Sequence, residues 1–267
     1  MKASFLVSSL VGAALALLSG CSEVDPSPDG ATVSASVDRS TSADASDAKD
    51  VVSKSTVSSA PASPRIMAMG DSMMAWHALT QASVSHAIED ALDEPVSSYA
   101  VSGARVLYSL PVTGALGLRI SSQYRKGDWD WIVLNGGGND LWLGCGCGAC
   151  TRTMEKLISE DGKRGAIPEM VQRLRATGAQ VAYVGYLRSP GVWSPIEGCR
   201  DNGAVLEERI TRLAELDWGV HFVSLQDLVP EGDRSFHGVD MIHPSLKGSR
   251  EIGKRVAAVI STNDQGR

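Results

Sequence analysis

Five short apolar runs, each stopped by glycine or a polar turn, alternate with segments of helical periodicity, and that alternation limits the available folds. The runs cover residues 65–69, 96–101, 129–134, 181–187 and 221–225. Between them, Val84, Ile88, Ala91 and Leu92 recur at helical spacing before Glu94-Pro95. Further helices are expected at 115–124, 167–176, 205–216 and 246–260, the last with Ile252, Val256, Val259 and Ile260 on one face. Strands alternating with helices imply a mostly parallel sheet covered on both faces. Ligands of such sheets bind beyond the carboxyl ends of the strands. The chain from Arg65 onward is long enough for one domain with a substantial core.

The N-terminus is a different material. Lys2, an apolar run over 5–18 and Leu18-Ser19-Gly20-Cys21 make an export signal. The run is shorter than the ~20 residues a membrane span requires. Its last four residues resemble the lipobox of bacterial lipoproteins, which implies that residues 1–20 are removed and that Cys21 is lipidated. Ser22 stands where an aspartate would favour retention at the inner membrane, so the expectation leans toward the outer one. The alternative is a soluble secreted protein with an ordinary Cys21. Residues 22–64 are Ser, Ala, Thr, Asp and Pro with isolated valines and no apolar stripe. Such a segment cannot offset the entropy of ordering, and it reads as a disordered tether. It holds seven acidic and three basic residues, most of the chain's net charge of −6. The remainder is only mildly acidic and offers no basic field for nucleic acid. The lipid anchor is the one membrane attachment expected, and oligomeric state is left open.

Three polar clusters follow apolar runs. In Gly70-Asp71-Ser72, a serine at a strand-to-helix turn can present both hydroxyl and N–H at the sheet end, although Ser and Asp also serve as helix caps. In Asp240-Met241-Ile242-His243-Pro244, a carboxylate three residues before a histidine can fix the ring that takes a serine proton. In Asn135-Gly136-Gly137-Gly138-Asn139-Asp140, three glycines suggest tight turns or close backbone approach, and the Asn139 amide could donate to an oxyanion. A phosphate loop is excluded for lack of a following Lys-Ser or Lys-Thr, and a dinucleotide fingerprint for lack of its glycine spacing.

Together these clusters resemble the four blocks of the SGNH, or GDSL-type, hydrolases over residues 65–260. The blocks here are Gly70-Asp71-Ser72, with Met73 where many members carry leucine; Gly103 in Val101-Ser102-Gly103-Ala104-Arg105; Gly137-Gly138-Asn139-Asp140; and Asp240-Met241-Ile242-His243-Pro244. The resemblance implies a three-layer α/β/α sandwich around a five-stranded parallel sheet, spanning 65–267. It implies Ser72 as nucleophile, His243 as general base and acid, and Asp240 as its orienting partner. The oxyanion donors would be the Ser72 and Gly103 N–H groups and the Asn139 side chain. Asp71 would be structural, and no metal or organic cofactor is expected. The family includes lipases, lysophospholipases, arylesterases and carbohydrate O-deacetylases. A small-molecule, glycan or lipid ester is therefore the expected substrate, and a noncatalytic envelope-binding module is the rival reading.

Other residues take plainer readings. His77, His86 and His221 are expected on the surface or in packing, and His237 draws notice only through its nearness to Asp240. Trp76 and Trp142 follow the blocks and could line a pocket or pack at its rim, whereas Trp129 and Trp131 read as packing residues. Beyond Cys21, the cysteines are Cys145, Cys147, Cys150 and Cys199. In an exported chain they read first as two disulfides, ahead of a zinc site. One bridge is expected within the cluster and one from it to Cys199, with Cys145 to Cys147 the least favoured local pair.

Overall fold

The computed structural model describes residues 64–264. The export signal, Cys21 and most of the tether lie outside the described residues.

Five strands form one all-parallel sheet: β1 (Ile66–Met69), β2 (Val96–Ser98), β3 (Trp131–Leu134), β4 (Gln180–Val184) and β5 (Val220–Val223), in the order β2-β1-β3-β4-β5. The helices are α1 (Ser72–Ala75), α2 (Val84–Leu92), α3 (Pro111–Thr113), α4 (Thr151–Leu157), α5 (Ala166–Arg175), α6 (Arg200–Leu216) and α7 (Leu246–Asn263).

The strands' period of two explains the layers. Met67, Met69, Ile132, Leu134, Val181 and Tyr183 point to one face, where Leu157, Val171 and Ile210 of α4, α5 and α6 cover them. Ile66, Ala68, Trp131, Val133, Ala182 and Val184 point to the other, against Ile88 of α2 and Ile252, Val256 and Ile260 of α7. Both faces are buried over the middle of the sheet, so β1, β3 and β4 read as nearly continuous apolar runs without polar alternation. The result is the expected three-layer α/β/α sandwich.

Two expected elements differ in the structure, and α4 is a helix that the periodicity did not predict. The helix expected at 115–124 does not form: a π-turn at Gly114–Leu118 is followed by a single 3₁₀ turn at Ile120–Ser122. Gly117 breaks it with φ +103°, and its carbonyl accepts from the buried Gln123 side chain. The same Gln123 accepts from Gly70 N–H and donates to Gly70 C=O, so it pins the exit of β1. The second strand stops at Ser98 although the apolar run continues to Val101.

The strand order places the reversal of direction between β1 and β3, because the chain leaves β1 to one side for β2 and returns to its other side for β3. The crevice at that switch point is where the fold offers a ligand site. Ser72 follows β1, and the glycine run follows β3, both at the carboxyl ends.

Candidate active site

The turn after β1 begins with Asp71, which caps α1 by accepting a hydrogen bond from Met73 N–H at 3.0 Å. Ser72 is the first residue of that one-turn helix and is half-buried. Trp76 closes the turn, its N–H donating to Ser72 C=O at 2.8 Å.

The Asp240–His243 turn faces it. His243 Nδ1 lies 2.6 Å from Asp240 Oδ2, and Asp240 Oδ1 accepts from the Ile242 and His243 N–H groups, each at 3.0 Å. Burial pushes the Asp240 carboxyl up, but the bond from His243 and the two backbone donors outweigh it and hold it below the usual carboxylate range. A carboxylate has no proton to give, so Nδ1 carries the hydrogen and Nε2 keeps a free lone pair. Met241, buried between them, adopts φ +58°, an uncommon conformation held by the Ser194 hydroxyl on its carbonyl. The indole of Trp76 stacks on the His243 ring at a centroid distance of 3.8 Å and 5° between planes. One short turn thus carries both Ser72 and the indole that fixes the plane of His243. Ser72 and His243 line the same cleft, and no hydrogen bond joins the two side chains.

Asn139 reaches this cleft from the loop after β3, its amide donating to Ala104 C=O at 3.1 Å. An amide nitrogen has two protons, so one remains to serve the cleft. Gly103 is exposed at the turn before Ala104, with φ +77°, and is not among the residues lining the cleft. Asp140 extends the attachment by accepting from Val106 N–H at 2.9 Å and Leu107 N–H at 2.8 Å. Asp140 closes the Gly137–Asp140 block of the sequence, but the loop it serves lies 33 and 34 residues away and leaves no local pattern.

Burial raises the Asp140 carboxyl to about 6, against the opposing pull of those two donors and of Arg105. The folded carboxyl therefore binds its proton more tightly than the unfolded one. Its stabilising contribution is full below the ordinary carboxylate range and is lost as pH rises through about 6. Asp140→Asn removes this titration. The stability difference should shift toward the wild type by about 1–3 kcal/mol on going from pH 7 to pH 4. Urea midpoints of both proteins check it, and a pH-independent difference would count against it.

The four cysteines form two disulfides, Cys145–Cys150 and Cys147–Cys199. The second joins the segment after Asn139 to the start of α6, and Cys199 lines the cleft. Asn202 reinforces it by donating to Cys147 C=O at 3.1 Å. Three other histidines bond elsewhere: His77 meets Pro244 C=O, His86 meets Ser83 and His221 meets Gln180. His237 is buried without a hydrogen-bond partner at either ring nitrogen, and burial lowers its titration. Trp131 is wholly buried, and Trp129 is buried with its N–H on Arg125 C=O.

The cleft encloses about 130 Å³. Leu141, Trp142, Leu187, Ile196, Leu206 and Ile242 give it apolar walls, and Arg188, Glu197 and Arg200 stand at its charged side.

The GDSL-like lipase/acylhydrolase family model matches residues 68–251. No curated protein matches the chain. Among solved structures, a carbohydrate acetylesterase family member from Sinorhizobium meliloti is similar with a TM-score of 0.53 and 15% identity, over 75% of this chain and 98% of that one. A carbohydrate esterase family 2 enzyme with a carbohydrate-binding domain, from Corynascus thermopiles (Myceliophthora fergusii), gives 0.51 and 19%, over 77% and 68%. TesA gives 0.50 and 20%, over 74% and 98%. At these identities the likeness is one of fold.

Proposed function

Because this chain belongs to the GDSL-like lipase/acylhydrolase family and is a serine esterase or acylhydrolase, we propose that Ser72, His243 and Asp240 are its catalytic triad and that its substrate is a short-chain acyl ester on a carbohydrate or other small molecule outside the cytoplasm. The observation that carries this reading is the Asp240-fixed His243 imidazole lining one cleft with Ser72 and Asn139. His243 Nε2 takes the proton as Ser72 Oγ attacks the ester carbonyl. The tetrahedral oxyanion is held by the Ser72 N–H group and the second amide proton of Asn139, both of which line the cleft, whereas Gly103 does not. On collapse the alcohol leaves with the proton from His243, and Ser72 carries the acyl group. Water, deprotonated by the same ring, attacks the acyl-enzyme and releases the acid and free Ser72.

The small volume of the cleft supports a short acyl group. A closed apolar cavity of roughly 150 Å³ accommodates a benzene-sized molecule, so this cleft suits a short acyl chain. The S. meliloti and Corynascus proteins, named as carbohydrate esterases, agree with an acetylated sugar. Lipidation at Cys21 and the tether would present the domain to envelope and extracellular esters. The competing reading is a lipase or lysophospholipase, favoured by the apolar walls. If the acyl site were long and open, each added methylene could contribute up to about 0.8 kcal/mol to kcat/KM. A series of p-nitrophenyl esters decides between them. The short-acyl reading expects kcat/KM to be greatest for acetate to butyrate and at least about tenfold lower for octanoate, roughly 1.4 kcal/mol. A rise continuing through octanoate and decanoate would replace it with the lipase reading.

A further inference from the structure

We infer that Tyr186 is a positioning residue of this site, and that its hydroxyl locks the nucleophile turn to the oxyanion loop by bridging Asp71 and Gly138. The inference rests on the nucleophile reading of Ser72 and adds a residue outside the triad and its oxyanion donors.

Tyr186 lies just beyond β4, at the third carboxyl end that reaches the cleft. Its hydroxyl donates to Asp71 Oδ2 at 2.6 Å and accepts from Gly138 N–H at 2.9 Å. Asp71 precedes Ser72, and Gly138 precedes Asn139, so one oxygen ties together the residues adjoining both functional groups. Three strand ends, those of β1, β3 and β4, meet at that atom. Tyr186 is itself anchored, its N–H donating to Glu207 Oε1 at 2.8 Å.

The direction of the bonds is fixed by chemistry. Gly138 N–H can only donate, so the phenol must accept from it and give its own proton to Asp71. Burial and the neighbouring Asp71 charge push the Tyr186 phenol well above its ordinary range, which keeps that proton in place. Asp71 is 2% exposed, and burial raises its carboxyl while the Tyr186 and Met73 donors oppose the rise. An unpaired carboxylate there would be costly, and the phenol is the side-chain donor that satisfies it. The Gly138 N–H, already committed to Tyr186, is unavailable to an oxyanion.

The ring matters as much as the hydroxyl. A Cβ added at Gly138 would lie 2.6 Å from Tyr186 Cζ, so glycine is what lets the loop sit against the ring. The third glycine of the run is therefore explained by a contact with Tyr186.

Tyr186→Phe keeps the ring and deletes the bridging oxygen. With p-nitrophenyl acetate, kcat should fall about 10- to 100-fold, less than for loss of a direct oxyanion donor, while KM stays within about threefold. Inactivation of Ser72 by a small fluorophosphonate should slow in parallel. Asp71→Ala, which removes the acceptor of the phenol proton, should lower kcat by at least a similar factor, and the double variant should be no worse than Asp71→Ala alone, since both break one bridge. A Tyr186→Phe protein with kcat within twofold of wild type, a loss confined to KM, or independent effects in the double variant would overturn the inference. Should Tyr186→Phe fail to fold, Asp71→Ala carries the test alone, and unchanged kcat would overturn the inference. Absence of a fluorophosphonate adduct on wild-type Ser72 would remove the nucleophile reading itself. Normal labelling with an unaffected Tyr186→Phe would remove only the bridge.

Discussion

Ser72→Ala should abolish ester hydrolysis, with kcat reduced by about 10⁵–10⁶, and leave the fold intact. The two halves of that expectation have separate causes. The activity loss follows because Ser72 is the proposed nucleophile, lining the cleft with the Asp240-fixed His243 and Asn139. Any residual rate would come from binding and oxyanion stabilisation acting on direct water attack. The fold survives because Ser72 is half-buried and its side chain bonds to none of the described residues. The cap of α1 belongs to Asp71, which accepts from Met73 N–H and is untouched by the change. Stability should therefore move by no more than about 0.5 kcal/mol. Turnover of p-nitrophenyl acetate beside a urea unfolding curve checks both parts. Near wild-type turnover would exclude Ser72 as nucleophile, and a large stability loss would show that its hydroxyl has a structural partner.

What could be read from the sequence was whatever is local. The β-strands were visible because both faces of the sheet are buried, which makes β1, β3 and β4 continuous apolar runs. The Asp240–His243 pairing was visible because a carboxylate three residues from an imidazole can reach it within one turn. The split of the cysteines was visible as parity and spacing, and the structure joins Cys147 to Cys199 across 52 residues. The bonds between loops were not visible. Asp140 serves backbone 33 and 34 residues away, Gln123 serves Gly70 at 53, and Tyr186 serves Asp71 at 115. Each is an ordinary polar residue whose partner depends on which strand ends the topology brings together. The helix expected at 115–124 failed for a related reason: Gly117 breaks it with φ +103°, and the Gln123 side chain is held by Gly70, 53 residues away. From the sequence Trp76 read either as a pocket-lining residue or as plain core or rim packing, and its stacking on His243 needed the approach of the segment before α7 to α1.

Asp240→Asn should lower kcat by about 10⁴, the size expected when a triad carboxylate is replaced by its amide. The geometry makes this a change of proton position with little change of shape. Asp240 Oδ1 accepts from Ile242 N–H and His243 N–H, and the amide oxygen can keep both bonds, so the turn and the φ +58° at Met241 should persist. The amide nitrogen then replaces Oδ2, which lies 2.6 Å from His243 Nδ1. Because an NH₂ group donates, Nδ1 must accept, and the imidazole proton moves to Nε2. That nitrogen then carries the proton where the serine proton has to go, and the general base is blocked. The Trp76 stack still holds the ring plane, so the ring cannot easily tilt away to restore the useful tautomer. Loss of the carboxylate also removes the charge that stabilises the imidazolium formed as Ser72 attacks. KM should change little, since neither effect touches the bound ester. The measurement is kcat and KM for p-nitrophenyl acetate together with the ¹⁵N shifts of His243. A variant with turnover within tenfold of wild type, or with the Nδ1 proton retained, would show that Asp240 does not set the tautomer of the catalytic base.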